Sequence, residues 1–262
     1  MKFLPFLLLM FLSAPWAQGG SAMALASGEV LHYRVRWGIF TNAGTIDVSA
    51  HKEDVAGLPQ IRIDTHTNTR GLVRALYLFD GDGQSIFDGR DGRLLAISSW
   101  SASSKKTTKT MAVFDYATEK VHYVDYIDPK HNKDLEIPAG NPMDLITSLI
   151  ETRRWDLRPG DRVPATIMFG KDFYNVVVIA DSYAHIHVPM GDFDTIVLTP
   201  KMEENPRGLF KKGGSVRVWI SRNEPHLPVM FEVSMGFGTG TAELAQYTPP
   251  TDAAPVAAAG EP

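Results

Sequence analysis

Residues 31–37 read LHYRVRW, and every second side chain in this stretch is apolar. Successive side chains of a β-strand point to opposite faces, so the four apolar residues share one face and the three polar residues share the other. The stretch is therefore predicted to be a strand that packs on a core through one face. Trp37 is predicted to lie in that core, beside Tyr33 and Val35.

The same period of two continues along most of the chain. Residues 45–50 and 61–64 alternate in the same way, and further short runs, separated by turn-forming residues, continue as far as residue 244. Residues 42–44 are predicted to form the first hairpin turn, because Asn and Gly favour such turns. About a dozen short strands with short connections indicate an all-β, mainly antiparallel fold, a closed or half-open barrel-like curved sheet.

Two segments depart from this period. Apolar residues between positions 143 and 150 recur with helical spacing, which predicts one short helix near residues 142–155. Asn141 is predicted to be its N-cap and Pro142 its first residue, because these residue types are favoured there. Residues 70–79 are predicted to form either a shorter helix or an irregular loop.

The amino-terminal segment has the pattern of a signal peptide. Lys2 precedes an apolar stretch, and residues 22–24 and 24–26 both fit the small-x-small pattern of a cleavage site. Residues 1–26 are therefore predicted to be a cleaved signal peptide that directs the protein to the periplasm. The apolar stretch is shorter than the ~20 residues that a spanning helix needs, so no transmembrane span is expected in the mature protein.

The carboxy-terminal segment has a different composition from the rest of the chain. Residues 248–262 consist mainly of Pro, Ala, Thr and Gly with a few acidic residues. Such a segment has too little apolar surface to offset the entropy lost on ordering, so it is predicted to be a disordered tail. Residues 27–247 are then expected to form a single domain.

The overall composition of the chain excludes several classes of function. Hydrophobic residues make up 44% of the chain and charged residues 21%, which is typical of a globular protein. The net charge of -4 gives no general attraction to nucleic acid, so no nucleic-acid partner is expected. Cysteine is absent, which excludes disulfides, a thiol nucleophile and the cysteine-linked lipid anchor of a bacterial lipoprotein.

No sequence motif identifies a reaction, a cofactor or a metal. The chain has no G-x-S-x-G elbow, no P-loop and no G-x-G-x-x-G that opens a helix after a strand. His185 and His187 have the spacing of two metal ligands on one strand face, but no third ligand is apparent, so a polar strand face is the preferred interpretation. Catalytic carboxylate pairs depend on three-dimensional separation, so a hydrolase stays open as an alternative.

Aromatic residues near strand ends are the candidate ligand-binding residues. A curved sheet with aromatic side chains inside can hold an apolar ligand, although the same side chains can simply fill the core. Trp219 is predicted to face away from Val216, Val218 and Ile220, at the mouth of a cavity or against the helix. The six candidates are Phe40, Tyr77, Phe79, Phe173, Phe210 and Trp219.

Several short motifs resemble the DUF3108 family of exported bacterial proteins. The matching stretches are residues 28–38 (GEVLHYRVRWG), 43–45 (AGT), 114–115 (FD), the segment 144–153 leading to 157–161 (LRPGD), 191–195 (GDFDT), 218–221 (VWIS), 228–229 (PV) and the region of Gly236. The resemblance implies an all-β, barrel-like envelope protein of undefined function, without catalytic residues to transfer. At the level of the fold, it also implies similarity to periplasmic lipoprotein carriers with half-open barrels.

The leading functional prediction is non-catalytic binding of an apolar or amphipathic cell-envelope ligand, such as a lipid. The first alternative is a structural or assembly factor that binds another envelope protein or a glycan through a sheet edge. The second alternative is an unrecognised hydrolase.

Overall fold

The computed structural model describes residues 24–211, 214–236 and 238–251, apart from the side chain of Leu209. Most of the predicted signal peptide and the last eleven residues of the predicted tail lie outside these ranges.

Fifteen strands and two short helices make up the described chain. The first eight strands are β1 (Val30–Trp37), β2 (Phe40–Val55), β3 (Leu58–Thr69), β4 (Phe79–Asp88), β5 (Leu94–Ser103), β6 (Thr107–Asp115), β7 (Lys120–Asp125) and β8 (Lys133–Glu136). The other seven are β9 (Met143–Asp144), β10 (Arg162–Phe169), β11 (Asp172–Val188), β12 (Gly191–Lys201), β13 (Ser215–Ser221), β14 (Pro228–Met235) and β15 (Gly238–Thr248). The helices are α1 (Gly71–Leu76) and α2 (Leu145–Glu151), and short 3₁₀ turns occur at Pro129–His131, Thr152–Arg154 and Gly208–Phe210.

All fifteen strands belong to one sheet with the order β8-β7-β6-β5-β4-β3-β2-β1-β15-β14-β13-β12-β11-β10-β9. Every neighbouring pair is antiparallel except β9 and β10, which are parallel. The first and last strands of the chain therefore pair at the centre of the sheet, where Val30 lies opposite Thr248.

The sheet curls so strongly that its two edges approach each other. Fifteen strands about 4.8 Å apart would place β8 and β9 roughly 67 Å apart in a flat sheet. The connection between them, residues 137–142, spans at most about 25 Å. Lys133 Nζ on β8 also lies 3.0 Å from Asp172 Oδ1 on β11. The edges do not pair with each other, so the half-open form of the predicted all-β, barrel-like fold is confirmed.

Two clusters of buried apolar side chains form the core. The larger cluster contains the inward-facing residues of β1–β7, including Tyr33 and Phe87, together with Leu25 and Trp219. The smaller cluster lies on β10–β13 and includes Val218 and its neighbours. Trp219 does face away from Val218, as predicted, but both faces of β13 are buried and only 6% of Trp219 is exposed.

Trp37, by contrast, is only half-buried, so its predicted position in the core is wrong. It is the last residue of β1, where the sheet ends, and its indole lies over Gly238 and Gly240 of β15. A Cβ atom added to Gly238 would lie 2.9 Å from the indole nitrogen, so only glycine leaves room for the ring. Alternation placed Trp37 on the correct face, but the core does not extend to the end of the strand.

Two local predictions are displaced by a few residues. The first hairpin turn is at Gly38 and Ile39, because Trp37 pairs directly with Phe40, and residues 42–44 lie inside β2. The N-cap of α2 is Asp144, whose Oδ1 accepts hydrogen bonds of 3.0 Å from the backbone amides of Ile146 and Thr147.

Asn141, the predicted cap of α2, has another role. Its side-chain amide donates to the carbonyl oxygen of Gly92, 3.1 Å away, in the turn between β4 and β5. Residues Met143–Asp144 then pair with β10 as strand β9, which delays the start of the helix. The helix itself lies within the predicted range, and the second segment is the short helix α1, one of the two predicted alternatives.

The two ends of the described chain pack on the sheet. Leu25 is 1% exposed and belongs to the larger core cluster. The backbone amide of Ala24 donates to Glu151 Oε2, 2.9 Å away. At the other end, the backbone amide of Thr251 donates to the carbonyl oxygen of Ser27. Ordered contacts therefore continue beyond both predicted boundaries of the domain at residues 27 and 247.

A buried ion pair fixes the amino-terminal segment to the turn after α2. Arg153 Nη1 lies 2.5 Å from Glu29 Oε1, with side chains that are 8% and 2% exposed. The second oxygen of Glu29 accepts from the amide of Ala26, and Arg153 also donates to the carbonyl oxygen of Pro225. A buried charge pair is stabilising only when its remaining polar atoms are also satisfied, and here each partner has a further hydrogen bond.

Candidate functional site

A cleft with a volume of about 1010 Å³ lies between α2 and strands β10–β13. Its floor is apolar, because alternate residues of these strands face the same side of the sheet. Leu198 lies directly opposite Val218 in the ladder, and the floor residues are all buried. These floor residues are Ile167, Val176, Val178, Leu198 and Val218. We call this site the α2 cleft.

The helix and two loops form the walls of the α2 cleft. Leu149 of α2 packs on the floor and is 8% exposed. Trp155, just after the 3₁₀ turn that follows α2, and Met202, after β12, pack against the same cluster and stay partly exposed. The N-cap at Asp144 sets where α2 begins, so this cap also determines the position of Leu149 over the cleft.

The mouth of the α2 cleft is polar and mostly acidic. Glu151, Glu203 and Glu204 line it, together with a single cation, Arg207. Burial raises the pKa of the Glu151 carboxyl, and the nearby charge of Arg154 partly offsets this effect. Arg207 is already engaged, because its guanidinium stacks on the Tyr174 ring at 5.0 Å and donates to a backbone carbonyl. Two of the glutamates are also paired, Glu151 with Arg154 at 2.9 Å and Glu203 with Arg162 at 2.5 Å. The mouth therefore offers no unengaged lining cation to an anionic group.

The six residues predicted to bind a ligand do not converge, and none of them lines the α2 cleft. Trp219 is buried in the larger core cluster. Phe173 packs against Phe114 with ring centroids 6.3 Å apart, and Phe210 packs at the same distance against Tyr174.

The remaining three candidates lie together at one end of the sheet. Phe40 begins β2 and is partly buried, whereas Phe79 begins β4 with its ring over Gly81. Tyr77, just after α1, is 41% exposed. The proposed ligand contacts of all six residues stay predictions.

Sequence reasoning missed Leu149, Trp155 and Met202. Of these three residues, Trp155 was the easiest to find from the sequence. It lies at the end of the amphipathic segment 142–155, where a large apolar side chain can pack on the surface that the helix covers. Met202 lies in an irregular segment whose position next to α2 depends on the curvature of the whole sheet.

A second groove, of about 650 Å³, crosses strands β2–β6 on the sheet face that points away from the larger core cluster. A ladder of directly paired residues runs along it from Asp47 through His66 and Asp82 to Trp100 and Lys109. His66 Nδ1 and Asp82 Oδ1 are 2.6 Å apart. We call this surface the ladder groove.

Two exposed aromatic rings stand along the ladder groove among hydrogen-bonding groups. Trp100 is 39% exposed and Tyr126 is 53% exposed, and the ammonium of Lys109 lies 5.5 Å from the Tyr126 ring centroid. Gln84 donates to Asp64 at 2.9 Å along the next row. The groove thus offers flat aromatic surfaces beside planar amide and carboxylate groups.

The histidine pair singled out in the sequence lies on an exposed face of β11. His185 Nδ1 is 2.9 Å from Asp194 Oδ1, and His187 Nδ1 is 2.8 Å from Asp192 Oδ1, across the hairpin with β12. The hydrogen bond to Asp194 raises the pKa of His185. No group of three or more His, Asp or Glu side chains arranged for a metal occurs in residues 24–211, 214–236 and 238–251.

Comparisons with known proteins support the barrel-like fold and do not identify an activity. In the part of the chain that the structure describes, no helix is both long and apolar enough to cross a membrane. A comparison with curated proteins finds no match.

One solved structure shows the same kind of fold. A beta-barrel-like protein of the domain of unknown function DUF1849 from Brucella abortus superposes with a TM-score of 0.55 and 9% identity, over 86% of this chain and 98% of that one. A protein described as exported, with a YmcC-like fold, from Bacteroides fragilis gives a TM-score of 0.34 at 10% identity over 86% and 98% of the two chains. A protein described as a lipoprotein, from Parabacteroides distasonis, gives 0.33 at 9% identity over 87% and 98%.

The family assignment covers most of the sheet. The model of DUF3108, a family described as proteins of unknown function, matches residues 32–245, from His32 in β1 to Ala245 in β15. The motifs in β13 and in the loop after α2 lie within that range, as does the β1 motif from His32 onward, so the chain belongs to the DUF3108 family.

Proposed function

We propose that this protein is a non-catalytic periplasmic protein of the cell envelope that binds an amphipathic ligand, such as a lipid, in the α2 cleft. The observation that carries the proposal is the combination of a continuous apolar floor with a polar mouth in one cleft of about 1010 Å³. Ligand pockets commonly have volumes of about 300–1,000 Å³, so the cleft is large enough for an acyl chain and part of a head group.

The charged residues at the mouth limit which head groups the ligand can have. Glu151 and Glu203 are paired with arginines, and the one lining arginine is engaged with Tyr174. No lining cation is thus free to bind a carboxylate or phosphate, whereas the glutamates can accept a hydrogen-bond donor or a cation. We therefore expect the bound molecule to have an apolar chain and a neutral, zwitterionic or amine-bearing head group.

The test is native mass spectrometry of the protein purified from its own periplasm, with a variant that fills the cleft. Ala165 lies on β10 opposite Val176 and lines the cleft, so Ala165→Trp should displace a bound acyl chain. Ala102→Trp on β5 is the matched control, since Ala102 is also partly buried on a strand but lies outside the cleft. Lipid on the wild type and on Ala102→Trp, but not on Ala165→Trp, is expected. Equal lipid on all three would show that the α2 cleft is not the site.

A second candidate function is glycan binding, which the ladder groove favours. Exposed aromatic rings beside planar hydrogen-bonding groups match the alternating apolar and hydroxyl faces of a sugar. Isothermal titration with soluble peptidoglycan fragments should show binding that Trp100→Ala abolishes. Tyr183→Ala is the control, because Tyr183 is 48% exposed and lies away from the groove. Binding that survives Trp100→Ala would remove this candidate.

An assembly factor and a hydrolase have less support. Partner binding through a sheet edge would use β8 or β9, which have only four and two residues and so offer few free backbone groups. Among the described residues, no arrangement of titratable side chains favours a hydrolase.

A further inference from the structure

Three chain connections meet at one end of the curled sheet. They are the turn at Gly38 and Ile39, helix α1 with the residues that follow it, and the turn between β5 and β6. The amide of Arg70 donates to the carbonyl oxygen of Ala43 at 2.8 Å, which joins the start of α1 to β2. Leu78 and Ser104 exchange two hydrogen bonds of 2.8 and 2.9 Å, which join the end of the α1 segment to the β5–β6 turn. We call these residues, 38–39, 70–78 and 104–106, the α1 rim.

The α1 rim exposes apolar side chains that no part of the core requires. Helix α1 has no buried residue, although two of its six residues are leucines. Ile39 is 90% exposed, Leu72 62% and Leu76 70%, and the next two residues after the helix, Tyr77 and Leu78, are 41% and 38% exposed. Several large apolar side chains exposed at one end of a folded protein usually mark a surface that another molecule covers.

Charge at this end of the molecule is mainly positive. The α1 rim contains four lysines and arginines and no aspartate or glutamate, although the whole chain has a net charge of -4. One of the four, Arg74, is paired with Asp80, which lies beyond the rim on β4. The other three, Arg70, Lys105 and Lys106, are exposed. These cations, beside the exposed apolar side chains of the α1 rim, complement a surface that is anionic and has an apolar interior.

We propose that the α1 rim docks on an anionic phospholipid bilayer surface. Ile39, Leu72 and Leu76 enter the boundary between head groups and acyl chains, while Lys105, Lys106 and Arg70 lie among the phosphates. The inference rests on a different surface from the α2 cleft and does not depend on what that cleft binds.

The experiment is flotation of the purified protein with vesicles of phosphatidylcholine alone or of phosphatidylcholine with phosphatidylglycerol. Binding to the anionic vesicles that weakens at high salt, with little binding to the neutral vesicles, is expected. Lys105→Gln with Lys106→Gln should weaken binding roughly 30-fold. Leu72→Asp with Leu76→Asp should abolish binding, and since neither leucine is buried the variant should keep the wild-type thermal midpoint.

Val55→Asp with Leu58→Asp is the matched control. These residues are 48% and 49% exposed in the β2–β3 turn at the other end of the same strands, so this variant should bind vesicles like the wild type. Equal loss in both double variants, or no preference for anionic vesicles, would overturn the proposal. So would rim variants that bind vesicles normally but lose crosslinks to an envelope protein. The cleft variant Ala165→Trp should still float, which separates failure of this inference from failure of the proposed function.

Discussion

Trp219 and Trp37 differ in how completely other side chains surround them. Trp219 is 6% exposed, and the Arg217 guanidinium stacks 5.2 Å from its ring, whereas Trp37 is half-buried over two glycines. The free energy lost on truncation follows the apolar contacts removed and the cavity left behind.

We therefore expect Trp219→Ala to lower the free energy of unfolding by about 3–5 kcal/mol and Trp37→Ala to lower it by clearly less. Urea denaturation of both variants, followed by far-ultraviolet circular dichroism, measures the difference. Trp219→Phe is the control, since it keeps most of the ring volume and should lose less than Trp219→Ala. A larger loss for Trp37→Ala would contradict the difference in burial between the two rings.

His185 gives a pH dependence with a definite sign. The hydrogen bond to Asp194 raises the pKa of this exposed histidine, so the folded protein holds the proton more tightly than the unfolded chain. The pair therefore stabilises the fold below the unfolded histidine pKa of about 6.5, and this contribution disappears as the pH rises through the raised folded pKa. Proton NMR titration should give a lower pKa for His185 in Asp194→Asn than in the wild type. An unchanged pKa would show that the hydrogen bond does not form in solution.

Helix α2 depends on one residue for its beginning. Asp144 accepts hydrogen bonds from two amides in the first turn, and loss of such a cap typically lowers stability by about 0.5–2 kcal/mol. Asp144→Ala should show this loss in thermal denaturation, and it should also weaken ligand binding in the α2 cleft because Leu149 is on the same helix. Asp144→Asn, which keeps the accepting oxygen, should be close to the wild type. If Asn141→Ala were more damaging than Asp144→Ala, the cap would instead lie at the sequence-predicted position.

The elements show what a single sequence can and cannot predict. Alternation identified strands such as β1, because one buried face imposes a period of two. It could not place the first turn, since Asn42 and Gly44 gave a stronger turn signal than Gly38 and Ile39. Nor could it show that both faces of β13 are covered, because a second buried layer comes from distant parts of the chain.

The candidate site was the least predictable part of the molecule. The α2 cleft is lined by residues from 138 to 218, which lie on one helix, five strands and three connecting segments. No local pattern reports that these segments meet. The positions of aromatic residues predicted a ligand site elsewhere, because an aromatic side chain that fills a core and one that lines a cavity look alike in a sequence.

At the scale of the whole molecule, the packing of the amino-terminal segment bears on processing. Leu25 is 1% exposed in the larger core cluster, so cleavage after Ala26 would remove a core side chain. We expect the mature protein to begin at Leu25, after the Ala22–Met23–Ala24 pattern, and intact-mass measurement of the envelope fraction gives the answer directly. Leu25→Ala should lower the free energy of unfolding by about 2–5 kcal/mol. This expectation would be contradicted by a mature chain that begins at Ser27 and is as stable as a chain that begins at Leu25.

The pairing of β1 with β15 at the centre of the sheet has a consequence for folding kinetics. Every other strand pairs with a strand adjacent in sequence, so this one ladder accounts for the longest-range contacts in the protein. A circular permutant that joins residue 251 to residue 24 through a flexible linker and opens the chain within residues 137–142 would keep Leu25 and Glu29 and order all fifteen strands consecutively. Its relative contact order would fall, and stopped-flow refolding should be faster than for the native connectivity. In the native connectivity, β1 cannot complete its pairing at the middle of the sheet until β15, the last strand, has been synthesised and has folded onto it.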